Sequence, residues 1–425
     1  MSSTMNGKTI AEKILSAKSG MDARAGDMVV CDADIVLGTD ASAPMAIAYF
    51  EKMGGNAVRY ADRVVFALDH YDPVTSPDTA KYHDLVRAFA AAHGVRVYER
   101  GEGISHTLAV ERGDVHPGDL VLGADSHTVT CGALNLFATG IGSSDLAAAM
   151  ITGQIWLRVP ETIRLVLTGE RPTDLTAKDA ALAIVSMLGA EGANYQAVEL
   201  DGPGVAAFAL EERLVLSNLL VESGAKAAIF PFDRELAEFL VTRGISPGSP
   251  VIADDGARYC RVIEVDLGAL APIVAIPHSP ATTASITDAA GTPIQFVFLG
   301  TCTGGRVSDY HDALAVLERG GGKLAPGVQL VVTPASREVE ERLVADGTMA
   351  KLRAIGATIT PPGCGACCGT SGVIPPDGVN VLSTANRNFK ARMGNATAAI
   401  YLASPAACAA AALTGMITDP RTIGR

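Results

Sequence analysis

The amino-acid sequence predicts an α/β protein built mainly on parallel sheets. Short runs of β-branched residues alternate along the chain with segments of helical periodicity, an order that is typical of strands joined by helical crossovers. Apolar residues make up 48% of the 425 residues and charged residues 19%, which favours a compact fold over a disordered chain. At roughly 150 residues per domain, this length predicts two or three domains.

The first third of the chain contains strands and helices in alternation. The predicted strands cover residues 27–37, 62–68, 93–99 and 119–125. The predicted helices cover residues 43–55 and 79–94. Both helices end at glycine, the residue that most readily takes the left-handed conformation that follows many helices.

The pattern continues through the rest of the chain. A strand at 161–170 is followed by predicted helices at 177–192, 211–226 and 231–244. Residues 276–293 follow neither period and are expected to lead into the last unit. That unit contains predicted strands at 294–300, 328–334, 357–360 and 380–385.

The longest uncharged run, residues 393–418, does not have the character of a membrane span. It is mostly alanine and is interrupted by Asn395, Ser404 and Pro405. The Ser-Pro pair predicts the start of a helix of small residues packed in the core.

Charge and cysteine content exclude several classes of protein. The formal net charge is −12, and such a field repels nucleic acid and acidic lipid, so neither is expected as a partner. The eight cysteines are too sparse and too unevenly spaced for a disulfide scaffold, which favours a reducing compartment. The amino end lacks the apolar stretch of a secretory signal, so a cytoplasmic location is expected.

Three cysteines form the most informative motif. Cys302 follows the predicted strand 294–300, and Cys364 and Cys367 lie in the glycine-rich segment PPGCGACCG. If the three thiolates converge they suit a metal: structural zinc usually takes a fourth protein ligand, whereas an iron-sulfur cluster with one open iron needs only three cysteines. Buried apolar thiols remain the alternative on spacing alone, and Cys368 is ambiguous.

The acid–base candidates follow predicted strands. They are Asp69 and His70, then His106, then the run Asp125, Ser126 and His127. Ligands bind at the carboxyl ends of the strands of open α/β sheets, and a carboxylate can orient an imidazole and raise its basicity. Each motif alone could be a turn or a cap. Four further histidines, at 83, 93, 116 and 311, are expected at the surface.

A basic segment follows the last predicted strand. It contains Asn386, Arg387 and Arg392, and guanidinium groups match the planar geometry of carboxylates. The alternative is a solvated basic turn.

Together these motifs resemble the aconitase superfamily. The matching segments are GADSHT, TCTGGR, PPGCGACCG and STANRNFKARMG, in that order. The chain is most similar to the large subunits of the 3-isopropylmalate dehydratase and homoaconitase group, from GKTIAEKIL to the alanine-rich end. The resemblance implies three α/β/α domains around a cluster site, at 1–158, 159–283 and 284–425, without the swivelling fourth domain of single-chain aconitases.

The resemblance also implies a cofactor and a reaction. The cofactor is a 4Fe-4S cluster held by Cys302, Cys364 and Cys367, with one iron open to substrate. The reaction is the dehydration and rehydration of a hydroxy di- or tricarboxylic acid. A separate small subunit is implied as the source of the swivelling domain and its serine base, so this chain alone is expected to be inactive.

Further residues acquire roles by the resemblance. Asp69 and His70 handle the leaving hydroxyl, His106 and Asp125 form a hydrogen-bonded pair, and Ser126 and His127 face substrate and iron. Glu222 and Asn218 share one face of the predicted helix 211–226, with Asn218 and Asn386 beside the cluster. Arg387 and Arg392 bind the substrate carboxylates.

Four positions depart from the usual family pattern. Thr301 and Gly304 replace a serine and an asparagine, Ala391 replaces a glycine, and Met45 stands where some members have a glutamine. These departures concern the choice of substrate more than the class of reaction.

The predicted function is therefore a hydro-lyase subunit, with 3-isopropylmalate dehydratase of leucine biosynthesis as the first candidate. Homoaconitase, a dimethylmalate dehydratase and another specialised hydratase are the alternatives within the family. Two other classes remain: a cluster-free RNA-binding regulator, which the acidic charge disfavours, and a mononuclear zinc hydrolase that uses the same thiols.

Overall fold

The computed structural model describes residues 7–370 and 373–424. Its helices are α1 (Ile10–Ser19), α2 (Ala43–Lys52), α3 (Pro77–His93), α4 (Ser105–Glu111), α5 (Ser143–Thr152), α6 (Ala177–Leu188), α7 (Leu210–Leu219), α8 (Arg234–Thr242), α9 (Val307–Arg319), α10 (Arg337–Ala345), α11 (Thr348–Ile355) and α12 (Pro405–Thr414). Its strands are β1 (Met28–Asp32), β2 (Ile35–Thr39), β3 (Val64–Ala67), β4 (Arg96–Tyr98), β5 (Leu120–Gly123), β6 (Phe137–Gly140), β7 (Gln154–Arg158), β8 (Thr162–Thr168), β9 (Ala197–Asp201), β10 (Ala227–Ile229), β11 (Arg261–Asp266), β12 (Ile273–Ala275), β13 (Thr283–Ser285), β14 (Phe296–Gly300), β15 (Gln329–Thr333), β16 (Thr358–Ile359), β17 (Asn380–Ser383) and β18 (Ala399–Leu402). The mixed α/β architecture with mainly parallel sheets confirms the predicted fold class.

The first sheet has five parallel strands in the order β4-β3-β2-β5-β6. The predicted strand at 27–37 is wrong as a single element, because it divides into β1 and β2. β1 pairs antiparallel with β7 in a two-stranded ribbon, whereas β2 lies at the centre of the five-stranded sheet. The break comes at Asp34, whose carboxylate accepts the backbone N–H of Leu120 at 2.8 Å.

The second sheet has four parallel strands in the order β10-β9-β8-β11. The helix predicted at 211–226 is shorter than expected: α7 ends at Leu219, and a 3-10 turn over Leu220–Ser223 follows. Gly224 ends that turn in the left-handed conformation, with φ of 85°.

The third sheet has seven strands in the order β13-β12-β18-β17-β14-β15-β16. Its last five strands are parallel, and β12 and β13 join antiparallel at one edge. β13 lies within 276–293, where no regular structure is predicted. Because the expected domain boundary at 283 falls inside β13, and β12 also joins this sheet, we propose a boundary near residue 270 instead.

The alanine-rich run 393–418 contains the strand β18 as well as the predicted helix. α12 begins at Pro405, and the Ser404 hydroxyl caps it by accepting the backbone N–H of Ala407. The small side chains of α12 are buried and let it pack closely against α9 and β14. In the part of the chain that the structure describes, no helix has the length and apolar character needed to cross a membrane.

The sheets bring distant loops together. In the first sheet, the turns after β2, β3 and β5 carry polar side chains at neighbouring strand ends. In the third sheet, the turns after β14 and β17 carry Cys302 and Asn386. These two sets of loops face each other across one site.

Candidate active site

The loops of the first and third sheets are tied directly together. The backbone N–H of Cys364 donates to the carbonyl of Asp69 at 3.1 Å, and the Arg387 Nη2 donates to the Ser126 hydroxyl at 2.9 Å. The predicted motifs, far apart in sequence, therefore lie in one place.

Asp69 and His70 form a hydrogen-bonded pair after β3, in which Asp69 is buried and His70 is partly buried. The Nδ1 of His70 lies 2.7 Å from the Oδ1 of Asp69, whose other oxygen accepts the backbone N–H of Ser105 at 2.8 Å. Burial disfavours the charged imidazole, but the negative charges of Cys364 and Asp69 outweigh burial and raise the pKa of His70 well above its usual value. The pair is thus poised to hold a proton.

Asp40 is a buried residue of this site that sequence reasoning missed. It follows β2 and accepts the backbone N–H groups of His70 and Tyr71, both at 3.0 Å. Its Oδ2 also lies 2.8 Å from the Nε2 of His83. The expectation of a surface His83 is wrong, because α3 packs against β4 and α2 and the residue is 1% exposed. The position of Asp40 after a strand, like that of Asp69, was the available signal.

A second hydrogen-bonded network connects Asp125, His127, Glu222 and Arg387. The backbone N–H of His127 donates to Asp125 at 2.7 Å, and the Nε2 of His127 lies 2.9 Å from Glu222. The Arg387 Nε donates to the same oxygen of Glu222 at 2.8 Å. Burial opposes ionisation of Glu222, but His127 and Arg387 lower its pKa below the usual range. Glu222 lies on the 3-10 turn after α7 rather than on the predicted helix.

His106 does not form the implied hydrogen-bonded pair with Asp125. Neither of its ring nitrogens has a hydrogen-bond partner among the described residues, although His106 is buried. One oxygen of Asp125 accepts the N–H of His127, and the other lies 3.7 Å from the Nε2 of His70. Burial lowers the pKa of His106 to about 3, so its ring is neutral.

The cysteines are surrounded by amide and guanidinium donors. Cys302 Sγ accepts from the side-chain amides of Asn218 at 3.1 Å and Asn386 at 3.2 Å. Cys367 Sγ lies 3.5 Å from the Oδ1 of Asn386 and 3.4 Å from the Nη2 of Arg392. Burial raises the pKa of Cys302 to about 12. This thiol therefore ionises only when a metal ion or a strong local positive charge stabilises the thiolate.

Cys364, the third of the candidate cysteines, lies beside His70. Its Sγ lies 3.9 Å from the Nδ1 of His70, and it packs with Cys302 in a small buried cluster with Ile104 and Ala335. The Sγ of the adjacent Cys368 lies 2.8 Å from the hydroxyl of Thr370 and 3.8 Å from the carbonyl oxygen of His70.

The comparisons with known proteins agree with this geometry. The model of the Aconitase family (aconitate hydratase) matches residues 12–293 and 286–415. The chain belongs to the aconitase family. The predicted membership and the predicted class of enzyme, a hydro-lyase, are confirmed, and membership implies an iron-sulfur cofactor.

Curated relatives extend over nearly the whole chain. The 3-isopropylmalate dehydratase large subunit 1 of Methanopyrus kandleri is 43% identical over 416 residues, covering 98% of this chain and 99% of the relative. The large subunit 1 of the same name from Thermotoga maritima is also 43% identical, over 418 residues, with coverage of 98% and 99%. The homoaconitase large subunit of Thermus thermophilus is 42% identical over 420 residues and covers 98% of each chain.

A solved structure supports the aconitase fold. It is that of aconitase X from Thermococcus kodakaraensis in its holo-form, with a TM-score of 0.52 and 13% identity over 88% of each chain. At this identity the likeness concerns the fold alone.

The donor set fits the iron-sulfur cluster of the aconitase family better than a single metal ion. Three thiolates on one zinc ion, about 2.3 Å from the metal, lie less than about 4 Å from one another. Among the described residues, the ligand atoms that lie within 4.8 Å of one another are those of Asp69, His70 and Cys364, which include one of the three thiols. The three thiol sulfurs are thus spaced more widely than the ligands of a single zinc ion. This spacing and the N–H donors around the sulfurs suit a larger anionic group.

The four departures from the usual aconitase-family residues lie in different structural environments. A Cβ atom at Gly304 would overlap the side chain of Thr384, so an asparagine does not fit here without movement of that threonine. Ala391 and Thr301 take the left-handed conformation, with φ of 66° and 72°, although both carry a Cβ. Met45 is 58% exposed on α2.

Proposed function

We propose that this chain is the large, catalytic subunit of an iron-sulfur hydro-lyase that isomerises a hydroxy di- or tricarboxylic acid. The observation that carries the proposal is the meeting of Cys302, Cys364 and Cys367 with the Asp69–His70 pair and Arg387 in one buried site. The first candidate substrate is 3-isopropylmalate, an intermediate of leucine biosynthesis, because relatives of that name match over the whole chain.

The cofactor we propose is a 4Fe-4S cluster held by the three cysteines, with one iron left open. When bound, it supplies a Lewis acid that polarises the carbon–oxygen bond of the substrate. The side-chain amides of Asn218 and Asn386 and the guanidinium of Arg392 then donate to the ligand sulfurs and spread their negative charge.

Asp69 and His70 are proposed to protonate the departing hydroxyl. Asp69 orients the imidazole through Nδ1, which leaves Nε2 to face the reacting group, 3.7 Å from Asp125. Asp40 fixes the backbone of the same turn through two N–H groups, so the ring is positioned before substrate enters.

Arg387, Ser126 and Arg392 are proposed to bind the substrate carboxylates. Glu222 and Ser126 accept hydrogen bonds from Arg387 and thereby fix the orientation of its planar guanidinium. A fixed positive charge at this place stabilises the carbanion-like form of the substrate as its proton leaves. His127, held by Glu222, and His106 complete the wall of the site.

A second chain is proposed to supply the base that removes the carbon-bound proton. The relatives are named large subunits, which implies a small subunit, and we propose that it brings the serine base and the swivelling domain. We also propose a cytoplasmic location, because the described cysteines are free thiols.

Homoaconitase is the second candidate activity. A homoaconitase large subunit is 42% identical to this chain, nearly the same as the dehydratases. Both substrates are hydroxy acids with at least two carboxylates, so the site residues described above serve either one.

The test combines cofactor analysis with a substrate panel. The chain is purified without oxygen after coexpression with its candidate small subunit, and iron and acid-labile sulfide are measured. We expect about four irons per chain. Cys364→Ser removes a ligand and is expected to lose most of the iron, whereas Cys260→Ser, at an exposed thiol outside the site, is the matched control.

Hydration of unsaturated diacids is then followed by the loss of their ultraviolet absorbance. Turnover of the isopropylmalate intermediate, dependent on both subunits, would support the first candidate, and turnover of the homoaconitate intermediate would support the second. A chain that binds no iron, or binds it equally well as Cys364→Ser, would refute the proposed cofactor.

A further inference from the structure

Lys178 is a buried lysine that contacts the turns after β14 and β17. It lies in the first turn of α6 and is 2% exposed. Its Nζ donates to the Thr303 hydroxyl at 3.0 Å and to the carbonyls of Thr384 and Ala385 at 2.8 and 2.6 Å. All three ammonium hydrogens therefore have acceptors, and each acceptor is a neutral oxygen.

The charge of Lys178 has no carboxylate partner. Within the described part of the chain, it forms no ion pair at 4.0 Å or less, although a buried ammonium is costly unless an anion is near. Burial lowers its pKa to about 8, and negative charge at Cys302 is the strongest influence that opposes the fall. Cys408, Asp309 and Cys367 act in the same direction, in that order of strength.

The three acceptors connect Lys178 to the turn that carries Cys302 and to the turn that carries Asn386. Thr303 directly follows Cys302. Ala385 directly precedes Asn386, whose amide donates to the sulfur of Cys302 at 3.2 Å and whose oxygen lies 3.5 Å from that of Cys367. One side chain from α6 thus joins the turn after β14 to the turn after β17.

We infer that Lys178 is a positioning residue whose buried ammonium holds these two turns together and supplies the positive charge that balances an anionic iron-sulfur cluster. The inference rests on the proposed function. Three thiolates carry more negative charge than the core of a resting 4Fe-4S cluster carries positive charge, so the ligated group is an anion. The anionic cluster therefore provides the opposite charge for the Lys178 ammonium, with which no carboxylate of the described residues forms an ion pair. A nearby cation in turn favours the reduced state of the cluster.

The experiment replaces the charge and follows the reduction potential of the bound cluster. Lys178→Met and Lys178→Gln remove the charge, and Lys178→Arg keeps it. Lys226→Met is the matched control. Lys226 is a partly buried lysine that lies against the ring of Tyr195 and donates to the carbonyl of Gly140. Each variant is reconstituted without oxygen, its iron content is measured, and its potential is determined by a redox titration monitored by electron paramagnetic resonance.

Both neutral variants are expected to shift the potential to more negative values and to lose iron faster than the parent chain. Lys178→Arg is expected to recover most of the shift, and Lys226→Met is expected to show none. If Lys178→Met does not fold, the comparison of Lys178→Gln with Lys178→Arg decides the question. A potential that is unchanged in the neutral variants, with only a lower melting temperature, would overturn the inference and leave a structural role. A parent chain that binds no cluster would instead overturn the proposed function, and this inference with it.

Discussion

The Nδ1 of His70 lies 2.7 Å from the Oδ1 of Asp69, and both side chains are held on a turn that also contacts Cys364. The two residues are neighbours in sequence, but their geometry depends on partners from elsewhere. Ser105 donates to Asp69, and Asp40 accepts from the backbone of His70. This arrangement fixes the tautomer and direction of the imidazole before a substrate binds.

Replacing Asp69 tests the role of this pair. Asp69→Asn is expected to lower kcat by roughly 10²- to 10³-fold, the range typical for loss of general acid–base catalysis, because the amide neither supports the imidazolium nor selects its tautomer. Iron content is expected to stay at the parent level. The control is Asp78→Asn on the exposed first turn of α3. Full activity in Asp69→Asn would show that His70 acts without its neighbour.

Arg387 offers a test of carboxylate binding. Its Nε donates to Glu222 and its Nη2 to Ser126, and a lysine has no planar fork to make both bonds. Arg387→Lys is expected to raise KM roughly tenfold to a hundredfold, since a charged hydrogen bond contributes about 1.5–3 kcal/mol. Steady-state kinetics provide the measurement, with Arg234→Lys on the surface of α8 as control. An unchanged KM would argue against a carboxylate contact at this residue.

Gly304 tests the close approach of the cysteine turn to β17. Gly304→Ala is expected to destabilise the chain by about 1–3 kcal/mol, because its Cβ would overlap Thr384. Adding Thr384→Ala removes the overlapping atoms, so the double variant is expected to lose less stability than the sum of the single variants. Urea unfolding of all three variants measures this. Strict additivity would contradict the steric explanation.

Ala391 offers the opposite effect. It takes a left-handed backbone conformation, which costs a residue with a Cβ about 1–2 kcal/mol. Ala391→Gly is therefore expected to keep or raise the melting temperature, with a gain of up to about 1 kcal/mol in the free energy of unfolding. Ala345→Gly, on the exposed end of α10, is expected to lose up to about 1 kcal/mol by comparison. Equal losses in the two variants would contradict the strain at Ala391.

Glu199 predicts a pH dependence of stability. Burial raises its pKa to about 7, against the hydrogen bonds from Ala11 and Tyr259. Because the folded pKa lies above the unfolded value, the stabilisation from the protonated carboxyl is complete below about pH 4.5 and is lost as the pH rises through about 7.

Glu199→Gln removes this titration. The melting temperature of the parent chain is expected to fall relative to that of the variant between pH 5 and pH 8, by the equivalent of about 1–3 kcal/mol. Thermal unfolding across that range, monitored by circular dichroism, gives the comparison. Parallel melting profiles for the two proteins would show that Glu199 does not titrate in this way.

Local features of the chain made much of the fold predictable. The helix at 79–94 is found as α3, with a capping box at Ser76 and a left-handed Gly94, because caps and apolar periodicity are properties of neighbouring residues. The start of α12 at Pro405 follows from the same reasoning. The short strands β12 and β13 were not predicted, because their few residues gain stability only from the sheet they join.

By itself the sequence determined the class of fold, the aconitase family and the three cysteines, since these depend on residue types, periods and the order of motifs. Only the tertiary structure decided that Asp40 and His83 support His70, that the ring of His106 has no hydrogen-bond partner among the described residues, and that Lys178 joins the turn of Cys302 to the turn of Asn386. These contacts connect residues from different sheets and helices. Their physical basis is the order of strands within each sheet and the exclusion of water from the shared site, neither of which a local pattern contains.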